Sequence, residues 1–448
     1  MVGIEETAKH LLGLIEKAGV DEGEIYVQRS EGLEISLRDQ EVERLRNKAE
    51  GGFALRLISG NRMGFVHSSD LRPDMLASSV DRCVELTRAA QPDESNQLPG
   101  ASESVAQVEI YDDTISSITY DRKLALLRDV ETLAFAYDPA ISKIEYLSYE
   151  DARTETLVAN TNGVYRHGES TRFSISLSVV AEKEGDVETG GEWVESRFFE
   201  DLDPPSKIAS RASWKATSLL GGETVPTQTV PVIFDRDVGY TFLAHLFAMV
   251  KGSSVADGLS ALVGRIGEAI GSERVTVVDD PTLDRGMGSR GFDSEGTPSA
   301  RTVVIDGGVL RSFLFDSRSA KKAGFTSTGN AKRGSFRDLP TVGHSNLFID
   351  RGESSPDDII GSTDKGLWLV SLAGWWVGIN PATGDFSSGA KGLWVERGEV
   401  AYPVRNVTIA SNILDMIRAV DMLGNDLYFR HETCTPTLRI AGMKVGGV

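Results

Sequence analysis

The apolar positions of the N-terminal segment follow a helical period, then a strand period, then a helical period again. Across residues 4–18 they recur every three or four residues, which predicts an amphipathic helix. Polar and apolar residues then alternate, as in half-buried strands, and Ser59-Gly60-Asn61 predicts a hairpin turn. The predicted elements are a helix over 4–18, strands over 24–30, 33–39 and 42–47, a hairpin over 51–68 and a helix over 72–90.

A second block of helix and strands follows a polar connector over 91–118. Its strongest local signal is Asn162-Gly163, which lies between two alternating runs and predicts a tight hairpin turn. The predicted elements are a helix over 120–137, long strands over 144–182 and a helix over 207–220 that follows a Pro-Pro break.

The remainder of the chain is rich in short strands and turns. A boundary is predicted at Gly221-Gly222-Glu223, followed by a buried strand and a helix over 237–250. Hairpin turns are predicted at 306–308 and 397–399, and an amphipathic helix is predicted from Asn412 to Leu423.

These patterns predict an α+β fold, because helices and strands are grouped rather than strictly alternating. We expect an N-terminal α+β subdomain over 1–95, a central helix and β-hairpin region over 96–222, and a β-rich C-terminal domain over 223–448. The last of these should be mostly antiparallel.

Composition and charge indicate where the protein is located and which class of partner it is not expected to bind. The 448 residues are 40% hydrophobic and 25% charged, and no run of 18 apolar residues predicts a membrane span. The first helix is acidic and amphipathic rather than a signal peptide, so we expect a cytoplasmic protein. The net charge of −19 argues against a nucleic-acid partner, because phosphate contact needs clustered Lys and Arg. Only two cysteines, Cys83 and Cys434, are present, which fits a reducing compartment.

The spacing of the histidines excludes a zinc-binding helix of the kind found in metallopeptidases. A peptidase helix needs two histidines on one face with a glutamate beside them, yet no two of the six histidines lie within five residues of each other. His245 is isolated on the 237–250 helix, and His431 with Cys434 gives half a metal site at most. There is also no GxSxG elbow and no phosphate-binding loop.

Three polar loops carry the remaining candidates. Residues 292–302, 325–335 and 380–392 are rich in Asp, Asn, Ser and Thr. These side chains either satisfy their own turns or line one cavity or interface, and the sequence leaves both interpretations open. The candidate peptide-lining or interface-lining residues are Asp293, Glu295, Asn330, Asn380, Thr383, Asp385, Phe386 and Ser387.

The amino-acid sequences of these loops resemble those of the TldD/PmbA family, whose members are also called modulators of DNA gyrase. The resemblance rests on GFDSEGTPSARTVVIDGGVLRSFLFD over 291–316, STGNAKR over 327–333 and VGINPATGDFSSGAKG over 377–392. It extends more loosely to RLISGNRMGFVHSSDL over 56–71. The family is one of metallopeptidase subunits, in which TldD-like chains carry an HExxxH zinc helix and PmbA-like (TldE) chains lack it.

The resemblance assigns this chain to the PmbA/TldE branch. By alignment, the His, Glu and second His positions of the zinc helix fall on Leu243, Ala244 and Ala248. It therefore implies no metal and no catalytic residue in this chain, with zinc expected in a TldD-like partner. The implied function is proteolysis of unfolded or extended peptides by a heterodimer or homodimer, with no nucleic-acid or membrane partner.

Two other readings stay open. The chain could be a non-proteolytic peptide-binding or regulatory scaffold without a peptidase partner. It could also be an autonomous enzyme that uses the Asp293/Glu295 pair or Cys434.

Overall fold

The computed structural model describes residues 3–102 and 104–447, so that Met1, Val2, Glu103 and Val448 lie outside it. It confirms the α+β prediction, with an N-terminal helix-and-sheet part and a C-terminal, mostly β part that contains a barrel. Within the described residues, no helix is both long enough and apolar enough to cross a membrane.

The N-terminal part is one antiparallel sheet covered by helices on one face. Its strands are β1 (Glu22–Arg38), β2 (Glu41–Ser59), β3 (Arg62–Ser68), β4 (Ile141–Asn160), β5 (Tyr165–Lys183) and β6 (Asp186–Ser196), in the spatial order β3-β2-β1-β4-β5-β6. The helices are α1 (Ile4–Ala18), α2 (Pro73–Ala89), α3 (Tyr120–Tyr137) and α4 (Pro205–Thr217), with single 3-10 turns at Ile115–Ser117 and Phe199–Asp201.

Alternate residues of the long strands separate the two faces of this sheet. Ile25 and Ile35 of β1 point to the helical face, where α1 and α2 cover one half and α3 and α4 cover the other. Tyr26 points to the opposite face and packs against Phe336 of the C-terminal part. The C-terminal part therefore covers the second face of the sheet at this point.

β1 is a single strand where the sequence pattern predicted two. The predicted gap contains Gly32, whose register partner is Ala152 of β4. A Cβ atom at Gly32 would lie 2.2 Å from the carbonyl oxygen of Asp151. The glycine permits a close approach of two backbones inside a continuous ladder rather than ending a strand.

The pairing of β1 with β4 joins the first two predicted domains. Their ladder runs from Glu24 opposite Asn160 to Ser36 opposite Ser148. A division at 95/96 thus separates two segments of one sheet, and the three-domain organisation remains a prediction.

The C-terminal part contains a barrel and a smaller sheet. Its strands are β7 (Gln228–Phe234), β8 (Val277–Asp279), β9 (Thr302–Asp306), β10 (Val309–Leu310), β11 (Ala331–Lys332), β12 (Thr341–Val342), β13 (Leu347–Ile349), β14 (Lys365–Ala373), β15 (Asp385–Glu396), β16 (Glu399–Asn412), β17 (Val420–Leu423), β18 (Thr433–Cys434) and β19 (Leu438–Gly446). Its helices are α5 (Arg236–Val250), α6 (Gly252–Ala256), α7 (Ser317–Ala323), α8 (Pro356–Gly361) and α9 (Ile413–Arg418).

Long-range pairing closes the barrel. The sheet order is β16-β15-β14-β7-β19-β17, and β16 also pairs with β19, which joins the two sides. The smaller sheet has the order β10-β9-β8-β13-β18. Phe242, Leu246 and Met249 of α5 are fully buried against barrel residues, so α5 is part of the core of this domain.

The predicted helix from Asn412 to Leu423 is wrong in its second half. Asn412 does cap the helix by accepting the Leu414 N–H, but α9 ends at Arg418. The chain then forms β17, in which Val420 pairs with Ile440 of β19. Burial and ladder pairing in the barrel override the local helical pattern at this point.

Candidate functional site

Asp293 and Glu295, predicted to line a cavity or interface, are interior residues. Asp293 is 1% exposed, and its carboxylate accepts N–H groups from Glu295 at 2.9 Å, Thr297 at 3.0 Å and Ala331 at 2.9 Å. Burial, followed by the neighbouring charge of Glu295, raises the pKa of Asp293 to about 7. The Asp293 carboxylate therefore stabilises two loops of this chain.

Glu295 belongs to a buried ionic cluster that joins the two parts of the molecule. Arg56 of β2 donates to Glu295 at 2.8 Å and to Glu24 of β1 at 2.6 Å, and Arg333 also pairs with Glu24. Burial disfavours the Arg56 charge, but Glu24 and Glu295 outweigh burial and hold its pKa above the ordinary value. Two arginines and two glutamates thus compensate one another where the sheet meets the C-terminal loops.

Asn330 lies in the same interior region. Its side-chain amide donates to Asp279 at 2.7 Å and to the Gly343 carbonyl at 3.1 Å, and its oxygen accepts the Thr328 hydroxyl at 2.6 Å. The next residue, Ala331, donates to Asp293, so the structure brings the first two candidate loops together.

The third candidate loop lies elsewhere, between β14 and β15. Asn380 accepts the Ala382 N–H at 3.0 Å, while Asp385 and Ser387 are exposed on β15. Phe386 is 1% exposed, with its ring 5.0 Å from that of His245. The backbone carbonyl oxygen of Thr383 accepts a hydrogen bond from the side-chain amide of Asn412 at 2.6 Å. This bond holds the loop against the start of α9.

A cavity of about 850 Å³ lies between the N-terminal sheet and the C-terminal part, and none of the eight candidates lines it. The strand wall carries Arg172, Ser176 and Ser178 of β5 with Trp193 and Glu195 of β6. The facing wall comes from the first turns of α5 and from the segment before β19. Its residues are Arg236, Asp237, Tyr240, Tyr428, Arg430, His431, Glu432, Thr433, Cys434 and Thr435.

A stacked aromatic pair bridges the two walls. The rings of Trp193 and His431 lie 4.8 Å apart at an interplanar angle of 21°. The guanidinium of Arg172 lies 5.6 Å from the centre of the Trp193 ring and 2.6 Å from Glu195. Glu195 also approaches His431 at 3.4 Å. Trp193 stays 44% exposed, so part of its indole surface is accessible from the cavity.

A dense charge cluster forms one end of the cavity. Lys215 of α4 lies 2.6 Å from Glu192 and 3.1 Å from Asp237, and Arg211 and Arg430 also pair with both carboxylates. Burial raises the pKa of Asp237, but the three cations outweigh it and hold that pKa well below the ordinary value. The cluster connects α4, β6, α5 and the segment before β18, and so positions the two walls.

Cys434 lines the cavity as a neutral thiol. Its sulfur donates to the His431 carbonyl at 3.2 Å, and burial raises its pKa. A thiol in this state is a weak nucleophile. Together with the interior position of Asp293 and Glu295, this weakens the reading of an autonomous enzyme.

The α5 side chains at the positions that the resemblance assigns to the zinc motif do not fit a zinc ion. At the aligned motif positions α5 carries Leu243, Ala244 and Ala248, which have no donor atoms in their side chains. The His245 imidazole is 3% exposed and its Nε2 lies 2.8 Å from the Trp375 carbonyl. Across 3–102 and 104–447, no three His, Cys, Asp or Glu side chains are grouped as a metal site would require.

The sequence pattern does not predict the residues that line this cavity, because they come from segments that are far apart in the chain. A weak local signal exists at Trp193, because the alternation of β6 places this large aromatic residue on the exposed side of the strand. In the segment over 428–434 the sequence indicates half a metal site at most, from His431 and Cys434. Neither segment by itself indicates that the two face each other.

Comparisons with known proteins agree with this architecture. Domain descriptions of the PmbA/TldA metallopeptidases match residues 23–90 (domain 1), 113–220 (central domain) and 227–447 (C-terminal domain). The metalloprotease PmbA of Escherichia coli O157:H7 is 30% identical over 433 residues, which cover 95% of this chain and 92% of that protein.

Two solved structures share the fold over nearly the whole chain. A modulator of DNA gyrase from Bacteroides thetaiotaomicron has a TM-score of 0.91 at 25% identity and covers 100% of both chains. TldE from Thermococcus kodakarensis has a TM-score of 0.87 at 24% identity and covers 98% of this chain and 100% of that one. Together the three domain matches cover most of this chain, and the relative of 30% identity covers 95% of it. This chain therefore belongs to the PmbA/TldD metallopeptidase family.

Proposed function

We propose that this chain is the PmbA/TldE-type subunit of a two-subunit metallopeptidase that cleaves unfolded or extended peptides. In this proposal a TldD-like subunit with an HExxxH helix supplies zinc, and the present chain binds and encloses the substrate. We also propose a cytoplasmic location, which is consistent with the two free, buried thiols of Cys83 and Cys434.

The observation that carries the proposal is the cavity beside α5. Its walls offer aromatic surface, hydroxyls and both signs of charge, whereas the α5 positions aligned with the zinc motif offer none of the metal's ligands. A site with binding groups and without a donor set is suited to holding a peptide for a reaction performed elsewhere in a complex.

Two outer strands supply a physical route for binding an extended chain. β6 is the last strand of the N-terminal sheet and β18 is the last strand of the smaller sheet, and both contribute residues to the cavity. A peptide that adds to such an edge gains main-chain hydrogen bonds, which depend little on its sequence. Folded proteins lack a free extended segment and would be excluded.

Peptide binding by the chain alone tests the proposal. A fluorescein-labelled, unstructured octapeptide should raise its fluorescence anisotropy on addition of the full chain. Trp193→Ala should weaken binding about three- to tenfold, because the aromatic stack with His431 is lost. Trp376→Ala is the matched control, since Trp376 is 62% exposed in the β14–β15 loop and does not line the cavity. Absence of binding, or equal effects of the two variants, would contradict a peptide site in this cavity.

A further inference from the structure

A second cavity lies against the same face of the N-terminal sheet. It has a volume of about 310 Å³ and reaches from Gln28 and Ser30 of β1 across β4 to β5. Arg172 and Arg197 line both this cavity and the larger one. These two guanidinium groups therefore stand at the junction of the two spaces.

The Arg197 guanidinium is fixed by backbone carbonyl groups. It donates to the carbonyl oxygens of Thr171 at 3.0 Å and Gly286 at 3.5 Å, and also to that of Met287. A guanidinium has five N–H groups. These three bonds hold its plane between β5 and the 286–287 loop and leave one N–H on each terminal nitrogen.

Arg197 has no carboxylate partner in the described part of the chain. No Asp or Glu oxygen among those residues lies within 4.0 Å of its nitrogens, although its side chain is partly buried. Burial lowers the pKa of Arg197, and the positive charge of Arg172 lowers it further, while Glu432 and Glu195 act in the opposite direction. Each glutamate has a larger influence on this pKa than Arg172 has, but neither forms an ion pair with Arg197.

The charges at the junction do not balance. Glu195 lies 2.6 Å from Arg172, which compensates that arginine, and Glu432 pairs with Lys332. Arg197 is thus left without an ion-pair partner among the described residues, although both glutamates lie near enough to favour its charge. A partly buried guanidinium without an ion-pair partner is stabilised when an anion binds beside it.

We propose that Arg197, together with Arg172, binds a carboxylate group of the extended peptide, with the rest of the peptide in the larger cavity. The inference rests on the proposed function, because it takes the ligand to be a peptide. A carboxylate matches the free N–H groups, since guanidinium and carboxylate form paired, charge-assisted hydrogen bonds. The carboxylate comes either from the peptide C-terminus or from an acidic side chain.

Three labelled peptides distinguish these sources. All are unstructured octapeptides of Gly, Ser, Ala and Leu: one with a free C-terminal acid, one with a C-terminal amide, and one amide with an internal glutamate. Anisotropy titrations with the full chain should show that at least one carboxylate-bearing peptide binds about tenfold more tightly than the uncharged amide. Which of the two does so identifies the terminus or the side chain as the source.

Two variants and a control locate the effect. Arg197→Gln and Arg172→Gln should each remove most of the difference between the carboxylate-bearing peptide and the amide. Arg172 is half-exposed, so Arg172→Gln keeps the test valid if loss of the Arg197 backbone bonds impairs folding. The charge-matched control, Arg311→Gln, changes an exposed residue directly after β10 and should retain the difference.

The outcomes separate this inference from the proposed function. If all three peptides bind with equal affinity, the carboxylate site is wrong while peptide binding stands. The inference is also overturned if Arg172→Gln and Arg311→Gln reduce the preference equally, because the effect would then come from overall charge. If no peptide binds, both the inference and the proposed function fail.

Discussion

At the residue scale, two histidines are held neutral by their surroundings. His245 is 3% exposed beneath the Trp375 carbonyl, and burial lowers its pKa. His344 contacts the Phe247 ring edge-to-face at 4.8 Å and lies 3.2 Å from the Thr433 hydroxyl. Burial and then the charge of Lys332 lower the pKa of His344, against the opposing influence of Asp279 and Glu432.

This neutrality predicts a pH-dependent stability. Below the ordinary histidine pKa of about 6.5, the unfolded chain binds protons that folded His245 and His344 do not. The contribution of each histidine to the free energy of unfolding should therefore fall from pH 7.5 to pH 5.5, by at most about 1.4 kcal/mol per pH unit. The raised pKa of Asp293 acts in the opposite direction, because folded Asp293 takes up a proton in this range and the unfolded residue does not. Urea unfolding across this range measures the net dependence.

Variants assign this dependence. His344→Gln should reduce the slope of stability against pH, whereas His10→Gln, at an exposed position of α1, should leave it unchanged. Equal slopes for the wild-type chain and His344→Gln would show that His344 takes up its proton equally in both states. Comparing slopes avoids any constant loss of stability that the substitution itself causes.

At the element scale, α5 lies so close to the residues after β18 that a side chain at position 239 would clash with them. A Cβ atom at Gly239 would lie 1.9 Å from the Thr435 hydroxyl. Glycine at this position lets the helix pack directly on the residues that follow β18. The facing wall of the cavity depends on this contact, since Asp237 and Tyr240 flank Gly239 on the same helix.

Two glycine substitutions test that packing. Gly239→Ala should destabilise the chain by about 1–3 kcal/mol, because the new methyl group overpacks against Thr435. Gly13→Ala is the matched control, since Gly13 is also inside a helix and nothing lies within 4 Å of its added Cβ. It should stabilise the chain by about 0.5–1 kcal/mol through higher helix propensity. Urea unfolding measures both, and similar changes in the two variants would contradict tight packing at Gly239.

Local pattern predicted the elements whose geometry is set within a few residues. The helix over 120–137 and the hairpin turn at Asn162-Gly163 are confirmed, because capping, periodicity and turn chemistry act locally there. The second half of the predicted 412–423 helix failed because β19 pairs with that segment. The local pattern of residues 419–423 cannot predict pairing with β19, because that strand lies about twenty residues later in the chain.

At the scale of the whole molecule, the cavity is a product of long-range contacts. Trp193 and His431 stack across a separation in sequence that no periodicity can encode. The closure of the barrel through β16 and β19 and the ionic link from Arg56 to Glu295 have the same origin. The sequence therefore predicted the fold class and the family resemblance, but placed its candidate residues in interior turns and in the β14–β15 loop instead of the cavity.

The two parts of the molecule are joined on either side of the cavity by buried charge. Arg56, Glu24, Glu295 and Arg333 form one junction, and Glu192, Asp237 and Arg430 contribute to the other. Such clusters are costly to disrupt singly, because removing one member leaves a buried charge without a partner. They connect the sheet and the barrel around the cavity.

In the proposed complex, this chain binds peptide for a zinc centre carried by another subunit. The decisive measurement is zinc content and casein cleavage for the purified chain, alone and mixed with an HExxxH-bearing relative from the same genome. We expect neither stoichiometric zinc nor cleavage from the chain alone, and chelator-sensitive cleavage by the mixture above that of the relative by itself. Stoichiometric zinc, or chelator-sensitive cleavage by the chain alone, would contradict the account, and unchanged activity on mixing would favour a non-proteolytic peptide-binding scaffold.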